Sequence, residues 1–261
     1  MRTKFNSEQM RADFHRDGYV FLRGFLTANE VAEFRQELTR LLREELPRIP
    51  GRHVYYEDAD RADTLKQIQQ LGEYSHFFRR WQHTSKFRDV AETLLEGPVL
   101  PKNMQYFNKP PGVGQPTPPH QDGFYFMLRP CEAVTMWLAL DEIDEENGCV
   151  RYIRGYHKSG MRPHSRTETL GFSQGIVDFP TLSDMQREIA LPAQPGDLLV
   201  HHALTVHRAE QNRSATRSRQ AMGFIYYSER AQEDAAAHEA YQRALAEELA
   251  AAGKIKNARQ S

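Results

Sequence analysis

Cysteine is scarce in this chain of 261 residues, which contains only Cys131 and Cys149. Two thiols without C-x-x-C spacing cannot build a disulfide framework or a thiolate zinc site. We therefore expect both to be reduced and buried, as isolated cysteines usually are. Stability must come from an ordinary apolar core, which the length and the 39% content of hydrophobic residues allow.

Long apolar stretches and an excess of one charge are also lacking. The residues from Met1 to Asn6 lead into charged residues without an apolar leader, and no run has membrane-spanning length. With 34 basic and 35 acidic residues the formal charge is -1, so no strong field would attract nucleic acid or an anionic membrane. These absences predict a cytoplasmic protein with a small-molecule partner, and they leave the oligomeric state open.

The chain divides into parts of different sequence character. Up to about residue 98, apolar residues recur at helical spacing. Residues from about 99 to 228 form short β-prone runs between Pro, Gly and Asn turns, which is typical of a sandwich or barrel. Residues from about 229 to 253 are rich in Ala and Glu, with Tyr241, Leu245 and Leu249 four residues apart, and predict a closing amphipathic helix. We expect one domain, residues 1–261, that is mainly β with flanking α-helices.

Local signals predict individual elements. Thr27-Ala28-Asn29-Glu30 has the capping-box pattern, and an apolar stripe follows, which predicts a helix from about 28 to 46. Thr84 or Ser85 can cap another helix that ends before Gly97-Pro98. The apolar run Tyr19–Leu22 is more typical of a strand. The candidate strands of the second part are 103–108, 120–128, 133–141, 149–153, 197–202, 205–209 and 219–227.

One candidate strand alternates clearly. In the segment 134–140, Thr135, Trp137 and Ala139 share one face, and the even-numbered residues share the other. A fold of two sheets would bury both faces.

A pair of metal-ligand types stands at the start of another candidate strand. In His120-Gln121-Asp122, residues two apart on a strand point the same way, so an imidazole and a carboxylate can bind one ion together. His207, on a second β-prone segment, is the candidate third ligand. Two histidines and one carboxylate leave adjacent positions of an iron(II) ion open, which suits a bidentate keto acid together with dioxygen.

An arginine follows the third candidate ligand. Arg219 lies 12 residues after His207 on a β-prone run, and a guanidinium directed into an apolar barrel is costly unless a carboxylate satisfies it. The distal carboxylate of 2-oxoglutarate would bind it bidentately. A surface role is the alternative, and Arg217 is the second candidate for the carboxylate.

An ordered set of motifs resembles the phytanoyl-CoA dioxygenase family of iron(II)/2-oxoglutarate oxygenases over residues of about 10–228. The motifs, in chain order, are Phe14-His15-Arg16-Asp17-Gly18-Tyr19-Val20, Asn108-Lys109-Pro110-Pro111, His120-Gln121-Asp122, Trp137-Leu138-Ala139-Leu140-Asp141, Asn147-Gly148-Cys149, Gly155-Tyr156-His157, Pro195-Gly196-Asp197, and His207 followed by Asn212 and Arg219.

The resemblance implies a double-stranded β-helix core (jelly roll, cupin-like) with flanking helices and an iron site in its mouth. It implies Fe(II) as cofactor and 2-oxoglutarate as co-substrate, with O2 and a small molecule as the other reactants. Lys66, Gln105 and Trp137 fall where family members approach 2-oxoglutarate, although Lys66 could be a solvated helix lysine and Trp137 a core residue. The arginine lies one residue further from His207 than the family spacing. Related halogenases have a small residue in place of Asp122, so the aspartate favours oxidation.

Other residues near the motifs have less specific interpretations. His201 and His202 could compete with His207 as the third ligand, and we interpret His202 as a packing or supporting residue. Phe124, Tyr125 and Phe126 could line a pocket or pack in the core.

The polar segment 157–190 is typical of an insertion or lid, which often selects the substrate. Four basic residues could place positive charge near the entrance and favour a carboxylated or phosphorylated substrate, although a solvated loop explains them equally well. They are Arg129, Lys158, Arg162 and His164.

The sequence therefore predicts a non-haem iron 2-oxoglutarate-dependent dioxygenase that hydroxylates an unactivated C–H bond and releases succinate and CO2. Its catalytic metal ligands would be His120, Asp122 and His207. Two alternatives stay open. A zinc hydrolase could use the same ligands with a bound water, and a jelly-roll binding protein could keep the pocket without turnover. Neither fold nor ligand set identifies the substrate.

Overall fold

A computed structural model describes residues 5–167 and 174–251, with the backbone alone for 242 and 245–251. The helices are α1 (Ser7–Asp17), α2 (Ala28–Glu44), α3 (Leu71–Tyr74), α4 (His76–His83), α5 (Lys86–Leu94), α6 (Gly123–Phe126), α7 (Leu182–Arg187) and α8 (Ala235–Ala251). The strands are β1 (Tyr19–Leu22), β2 (Val54–Tyr56), β3 (Leu65–Ile68), β4 (Val99–Lys109), β5 (Thr117–His120), β6 (Leu128–Arg129), β7 (Ala133–Ala139), β8 (Val150–Ile153), β9 (His164–Arg166), β10 (Gln174–Ile176), β11 (Glu188–Leu191), β12 (Leu198–His202), β13 (His207–Ala209), β14 (Arg219–Ser228) and β15 (Gln232–Glu233).

Polar side chains begin the main helices where the sequence predicts them. Thr27 and Glu30 form the capping box of α2, in which each side chain accepts a hydrogen bond from the other's backbone N–H. Ser85 accepts a hydrogen bond from the backbone of Phe87 and caps α5. The helix predicted from 28 to 46 therefore ends only two residues early.

Two antiparallel sheets form the β-rich centre of the molecule. The larger sheet has seven strands in the order β1-β12-β7-β14-β4-β3-β2, and the smaller has four in the order β11-β8-β13-β5. Small apolar side chains of the larger sheet, such as Ala139 and Ala221, share one buried cluster with Val150 and Tyr152 of the smaller sheet. This face-to-face arrangement is the jelly roll that the resemblance implied.

The outer face of the larger sheet lies under the helices. Met136 and Leu138 of β7 belong to the same buried cluster as Phe34 of α2 and Phe87 of α5, and the Phe87 ring stacks on that of Phe224 with centroids 4.0 Å apart. All seven residues of β7 are buried. The predicted alternation is therefore present, but helices rather than a second sheet cover the even-numbered face.

The structure corrects several predicted elements. The strand predicted at 120–128 ends at His120, and the chain then turns into α6. The first 98 residues contain β2 and β3 as well as helices, and both strands extend the larger sheet. The segment 157–190, interpreted as an insertion outside the core, contributes β11 to the edge of the smaller sheet.

At the other end of the chain, helix α8 begins at Ala235 rather than near 229. Residues 252 and 253 of the predicted helix, and the side chains of Leu245 and Leu249, lie outside the described part of the chain. Across the described ranges, no helix combines the length and the apolar character needed to cross a membrane.

Candidate metal centre

Two histidines meet because two short strands pair. β13 runs antiparallel to β5 with His207 directly opposite His120, and the two ring centroids are 4.1 Å apart. Asp122 reaches the same point from a different backbone conformation than predicted, because its φ of -59° and ψ of -32° are helical. The turn after His120 therefore brings the carboxylate back toward the imidazoles, and the i, i+2 strand geometry does not apply.

The three side chains converge on one point. Oδ1 of Asp122 lies 3.4 Å from Nε2 of His120 and 3.6 Å from Nε2 of His207. All three candidate ligand atoms lie within 4.8 Å of one another. An ion about 2 Å from each atom fits these separations.

The tautomer of both histidines suits a metal. Nδ1 of His120 lies 2.8 Å from the carbonyl oxygen of Pro118, and Nδ1 of His207 lies 3.0 Å from that of Thr205. A carbonyl only accepts, so each Nδ1 carries the proton and each Nε2 keeps its lone pair for a metal. Two neutral imidazoles and one carboxylate form a donor set suited to a divalent transition metal such as iron(II).

The carboxylate of Asp122 is fixed from its other side. Its Oδ2 accepts hydrogen bonds from Nε2 of His201, at 3.0 Å, and from the hydroxyl of Thr135. Nδ1 of His201 lies 2.8 Å from the hydroxyl of Tyr152. His201 is therefore a support for Asp122 rather than a competing ligand. His202 lies apart from the site, against the rings of Phe14 and His157.

Charge states at the cluster favour a cation. Burial tends to raise the pKa of Asp122, but the neighbouring imidazoles of His207, His120 and His201 outweigh it and hold the pKa well below its usual range. Burial is the main reason that the pKa of His207 lies well below that of a free imidazole. An ionised carboxylate and a neutral imidazole therefore meet at this point near neutral pH.

Arg219 begins β14 inside the same cavity and is 5% exposed. Its guanidinium carbon lies 5.2 Å from the centre of the Trp137 ring, and its Nε donates a hydrogen bond to the carbonyl oxygen of Gly148. Burial lowers the pKa of Arg219 to about 10. Within the described ranges no carboxylate lies within 4.0 Å of this guanidinium.

Arg217 has a different environment. Its guanidinium pairs with the carboxylates of Asp144 and Glu146 at the surface, and it does not line the cavity. Arg219 therefore lies inside the cavity and Arg217 lies outside it. The departure of one residue from the family spacing does not favour Arg217 over Arg219.

The other residues assigned to 2-oxoglutarate by resemblance also line this cavity. Trp137 is 6% exposed and shares its face of β7 with Thr135, as the alternation predicts. Gln105 on β4 accepts a hydrogen bond from Nε2 of Gln67 at 2.6 Å. Lys66 lies on β3 rather than on a helix, is 6% exposed, and pairs with Glu57 at 3.2 Å.

Sequence reasoning missed one buried cation of the cavity, Lys109. Its Nζ donates hydrogen bonds to the carbonyl oxygens of Gln115 and Glu210, at 2.6 and 2.7 Å. Burial, followed by the charges of Arg219 and Lys66, holds its pKa well below the usual value. The motif Asn108-Lys109-Pro110-Pro111 contains this residue, but no local signal shows that the side chain turns inward.

The predicted basic entrance is not formed by the four residues proposed for it. Arg162 is buried and pairs with Asp178 and Asp184, so it joins the described beginning of the segment 157–190 to its described later part. Arg129, Lys158 and His164 do not line the cavity either.

The aromatic residues after Asp122 divide between two roles. Tyr125 and Phe126 line the cavity. The ring of Phe124 instead stacks on that of His164, with centroids 4.5 Å apart.

We use the name metal cluster for the three candidate ligands His120, Asp122 and His207. The cavity has a volume of about 620 Å³ and extends from this metal cluster to α8. A jelly roll that holds a His-Asp-His cluster and a buried arginine in one such cavity defines the chain as a cupin-like protein with a candidate metal site. The sequence profile of the phytanoyl-CoA dioxygenase (PhyH) family matches residues 14–221. The chain therefore belongs to the phytanoyl-CoA dioxygenase family, which confirms the resemblance seen in its motifs.

Individual relatives agree with this assignment. The peroxisomal phytanoyl-CoA dioxygenase of Mus musculus is 26% identical over 223 residues, which cover 79% of this chain and 64% of the mouse protein. The chain thus spans just under two thirds of that relative.

Solved structures share the fold. The epimerase SnoN, in complex with Fe3+, alpha ketoglutarate and nogalamycin RO, superposes with a TM-score of 0.69 at 26% identity, covering 87% of this chain and 85% of SnoN. EvdO2 from Micromonospora carbonacea var. aurantiaca, complexed with 2-oxoglutarate, has a TM-score of 0.72 at 25% identity, covering 90% of this chain and 95% of EvdO2.

Proposed function

We propose that this protein is a non-haem iron(II) oxygenase that uses 2-oxoglutarate as co-substrate and hydroxylates an unactivated C–H bond of a small-molecule metabolite. His120, Asp122 and His207 would hold the iron. Arg219 would bind the distal carboxylate of 2-oxoglutarate, with Trp137, Gln105 and Lys66 lining its site. When bound, iron and 2-oxoglutarate supply the activation of dioxygen, with decarboxylation of 2-oxoglutarate to succinate and CO2.

The observation that carries this proposal is the buried guanidinium of Arg219 in the cavity of the metal cluster. A buried cation without an anionic partner is strongly destabilising, so such a site implies a ligand that brings the missing carboxylate. A dicarboxylate that chelates the metal at one end and meets Arg219 at the other satisfies both groups. A zinc hydrolase with the same three ligands would leave Arg219 without an anion.

Other residues of the cavity hold Asp122 in position and shield Arg219 from water. Thr135 and His201 hold Asp122 so that one of its oxygens faces the two imidazoles. The Trp137 ring lies against the Arg219 guanidinium and excludes water from it, which strengthens its attraction to a carboxylate. The protein thus contributes fixed geometry and a dry cavity, and the outcome at the substrate depends on which carbon is placed near the metal. SnoN, named an epimerase, belongs to the same fold and shows that hydroxylation is not the only outcome this architecture supports.

Anaerobic titration tests the proposal. We expect iron(II) followed by 2-oxoglutarate to produce a visible charge-transfer band, and admission of O2 to release succinate. The variant Asp122→Ala should lose the band, because one of three ligands is gone. Arg48→Gln is the control, because Arg48 is exposed and lies outside the cavity. A wild-type protein that binds zinc tightly and gives no band with iron(II) and 2-oxoglutarate would contradict the proposal.

A further inference from the structure

The cavity extends well beyond what a metal and 2-oxoglutarate need. Its 620 Å³ lies in the range of sites for drug-sized ligands, and a small diacid fills only a part of it. The outer part is walled by the end of β3, by β4 and by the turn that precedes β2. This region contains the polar groups that the proposed reaction does not use.

Carboxamides dominate that wall. Gln69, Gln70 and Asn103 line the cavity. Oδ1 of Asn103 accepts a hydrogen bond from the backbone of Gln70, so its Nδ2 is not used in that bond. In the described ranges, the side-chain amides of Gln69 and Gln70 and the Nδ2 of Asn103 have no hydrogen-bond partner. Each primary amide offers donors and an acceptor, which together suit hydroxyl groups.

A buried acceptor points to the same kind of ligand. Gln67 is 3% exposed and lines the cavity beside Gln105. Its Nε2 is occupied by Gln105, but its Oε1 has no hydrogen-bond donor within the described part of the chain. Leaving such a buried oxygen unsatisfied is unfavourable, so a ligand donor is expected there.

A cation stands at the outer end of this wall. Arg52 lines the cavity from the turn before β2, and the backbone N–H of Gln69 donates to the carbonyl of the adjacent His53. No carboxylate of the described residues lies within 4.0 Å of the Arg52 guanidinium. The other basic groups at this mouth, Lys102 and His238, both pair with Glu233. Arg52 is thus an arginine of the entrance that has no carboxylate partner among the described residues.

Sheet register gives the span between this wall and the metal cluster. Thr135, which bonds to Asp122, is paired across β7 and β14 with Ile225, and Ile225 is paired across β14 and β4 with Asn103. Two strand spacings place Asn103 about 10 Å from Thr135. A molecule that places a carbon near the proposed metal must therefore extend over a distance of this order to contact the carboxamides.

We infer that the substrate is a polyhydroxylated organic anion. Its hydroxyl groups bind Gln67, Gln69, Gln70 and Asn103, and its carboxylate or phosphate group binds Arg52. The inference rests on the proposed function for the position of the reacting carbon. In this inference the anionic group of the substrate binds Arg52, and not the basic residues that the sequence suggested. The substrate must also contain hydroxyl groups.

Four simple probes test the recognition. The protein is loaded with iron(II) and 2-oxoglutarate without oxygen, and binding is measured calorimetrically for D-glucuronate, glucose 6-phosphate, methyl β-D-glucoside and octanoate. We expect at least one hydroxylated anion to bind tenfold or more tightly than both the uncharged glucoside and the apolar acid. The better of the two anions identifies carboxylate or phosphate as the preferred group.

Variants then assign the contacts. Arg52→Gln should abolish the preference for the anion over the glucoside, whereas Arg48→Gln, an exposed arginine outside the cavity, should retain it. Gln70→Leu should weaken the binding of the hydroxylated anion tenfold or more and leave the binding of octanoate unchanged. Equal binding by Arg52→Gln and Arg48→Gln, a preference for octanoate, or no binding of either hydroxylated anion at millimolar concentration would overturn the inference. The charge-transfer band of the loaded protein separates this failure from failure of the proposed function, since Arg52 is not among the residues proposed to hold iron or 2-oxoglutarate.

Discussion

Nε2 of His201 lies 3.0 Å from Oδ2 of Asp122, the carboxylate oxygen opposite the one that faces His120 and His207. The hydroxyl of Thr135 donates to the same Oδ2. One oxygen thus bonds to the protein, and the other faces the two imidazoles, where the proposed metal would bind. This division fixes the rotation of the carboxylate, which is the property that outer hydrogen bonds confer on metal ligands.

The first prediction concerns Thr135. Thr135→Val keeps the shape of the side chain but removes the hydroxyl, so Asp122 loses one of its two anchors. Loss of such an outer partner costs about 10–100-fold in metal affinity. Competition with a chelator of known iron(II) affinity would measure this. Thr135→Ser keeps the hydroxyl and should remain within a few-fold of wild type, whereas equal losses in both variants would assign the effect to packing instead.

The second prediction separates two nearby arginines. Arg219→Gln should raise the Kd for 2-oxoglutarate by about 10–100-fold, because a charged hydrogen-bonded pair contributes roughly 1.5–3 kcal/mol. Titration of the charge-transfer band without oxygen measures the change. Arg217→Gln is the matched control, since Arg217 pairs with Asp144 and Glu146 outside the cavity. A larger effect from Arg217→Gln would place the co-substrate elsewhere.

The ligand candidates could be found in the sequence because each belongs to a local signal. His120 and Asp122 stand two apart beside Pro118-Pro119, and His207 and Arg219 follow in a fixed order. The fold that joins them also shows locally, in capping residues and in the alternation of β7. Even so, Asp122 reaches the site through a helical turn, because the backbone after β5 bends away from the sheet.

Other parts of the site depend on contacts that no local pattern contains. His201 and Thr135 are neighbours only because β12 and β7 pair with these residues directly opposite each other. Gln67 enters the cavity because β3 pairs with β4, and β3 is too short to stand out from the helical first part of the sequence. Long-range strand pairing therefore decides which polar residues surround the metal cluster.

The third prediction concerns the buried ion pair of Arg162. Its Nη1 lies 3.0 and 2.9 Å from the two carboxylate oxygens of Asp184, which is fully buried. Removing one partner of such a pair leaves an uncompensated charge, so Arg162→Gln should lower the free energy of unfolding by about 3–5 kcal/mol. Urea unfolding would measure this.

The double variant Arg162→Gln with Asp184→Asn tests whether the loss of stability comes from the unpaired charge. It removes both charges and should recover part of the loss, because no charge is left buried alone. Lys158→Gln, at an exposed position of the same segment, should match wild type. If Arg162→Gln and Lys158→Gln had the same free energy of unfolding, the Arg162–Asp184 pair would not anchor this segment.

The last prediction concerns α8, which lies beyond the part of the chain matched by the family profile. Tyr241 of this helix lines the cavity and contacts the ring of Tyr125, with centroids 6.3 Å apart. Tyr125 in turn meets the ring of His120 edge-on at 6.0 Å. Three rings thus connect the metal cluster to the mouth, and the outermost one belongs to α8.

Removing the outermost ring should widen the mouth without touching the metal ligands. Tyr241→Ala is therefore expected to speed the removal of bound iron(II) by an added chelator several-fold, while the charge-transfer band with saturating 2-oxoglutarate keeps its intensity. Arg243→Ala is the control on the same helix, because Arg243 is exposed and pairs only with Glu239 among the described residues. Identical rates for the two variants would show that α8 does not limit access, and the cavity would then be closed by the residues around Tyr125 alone.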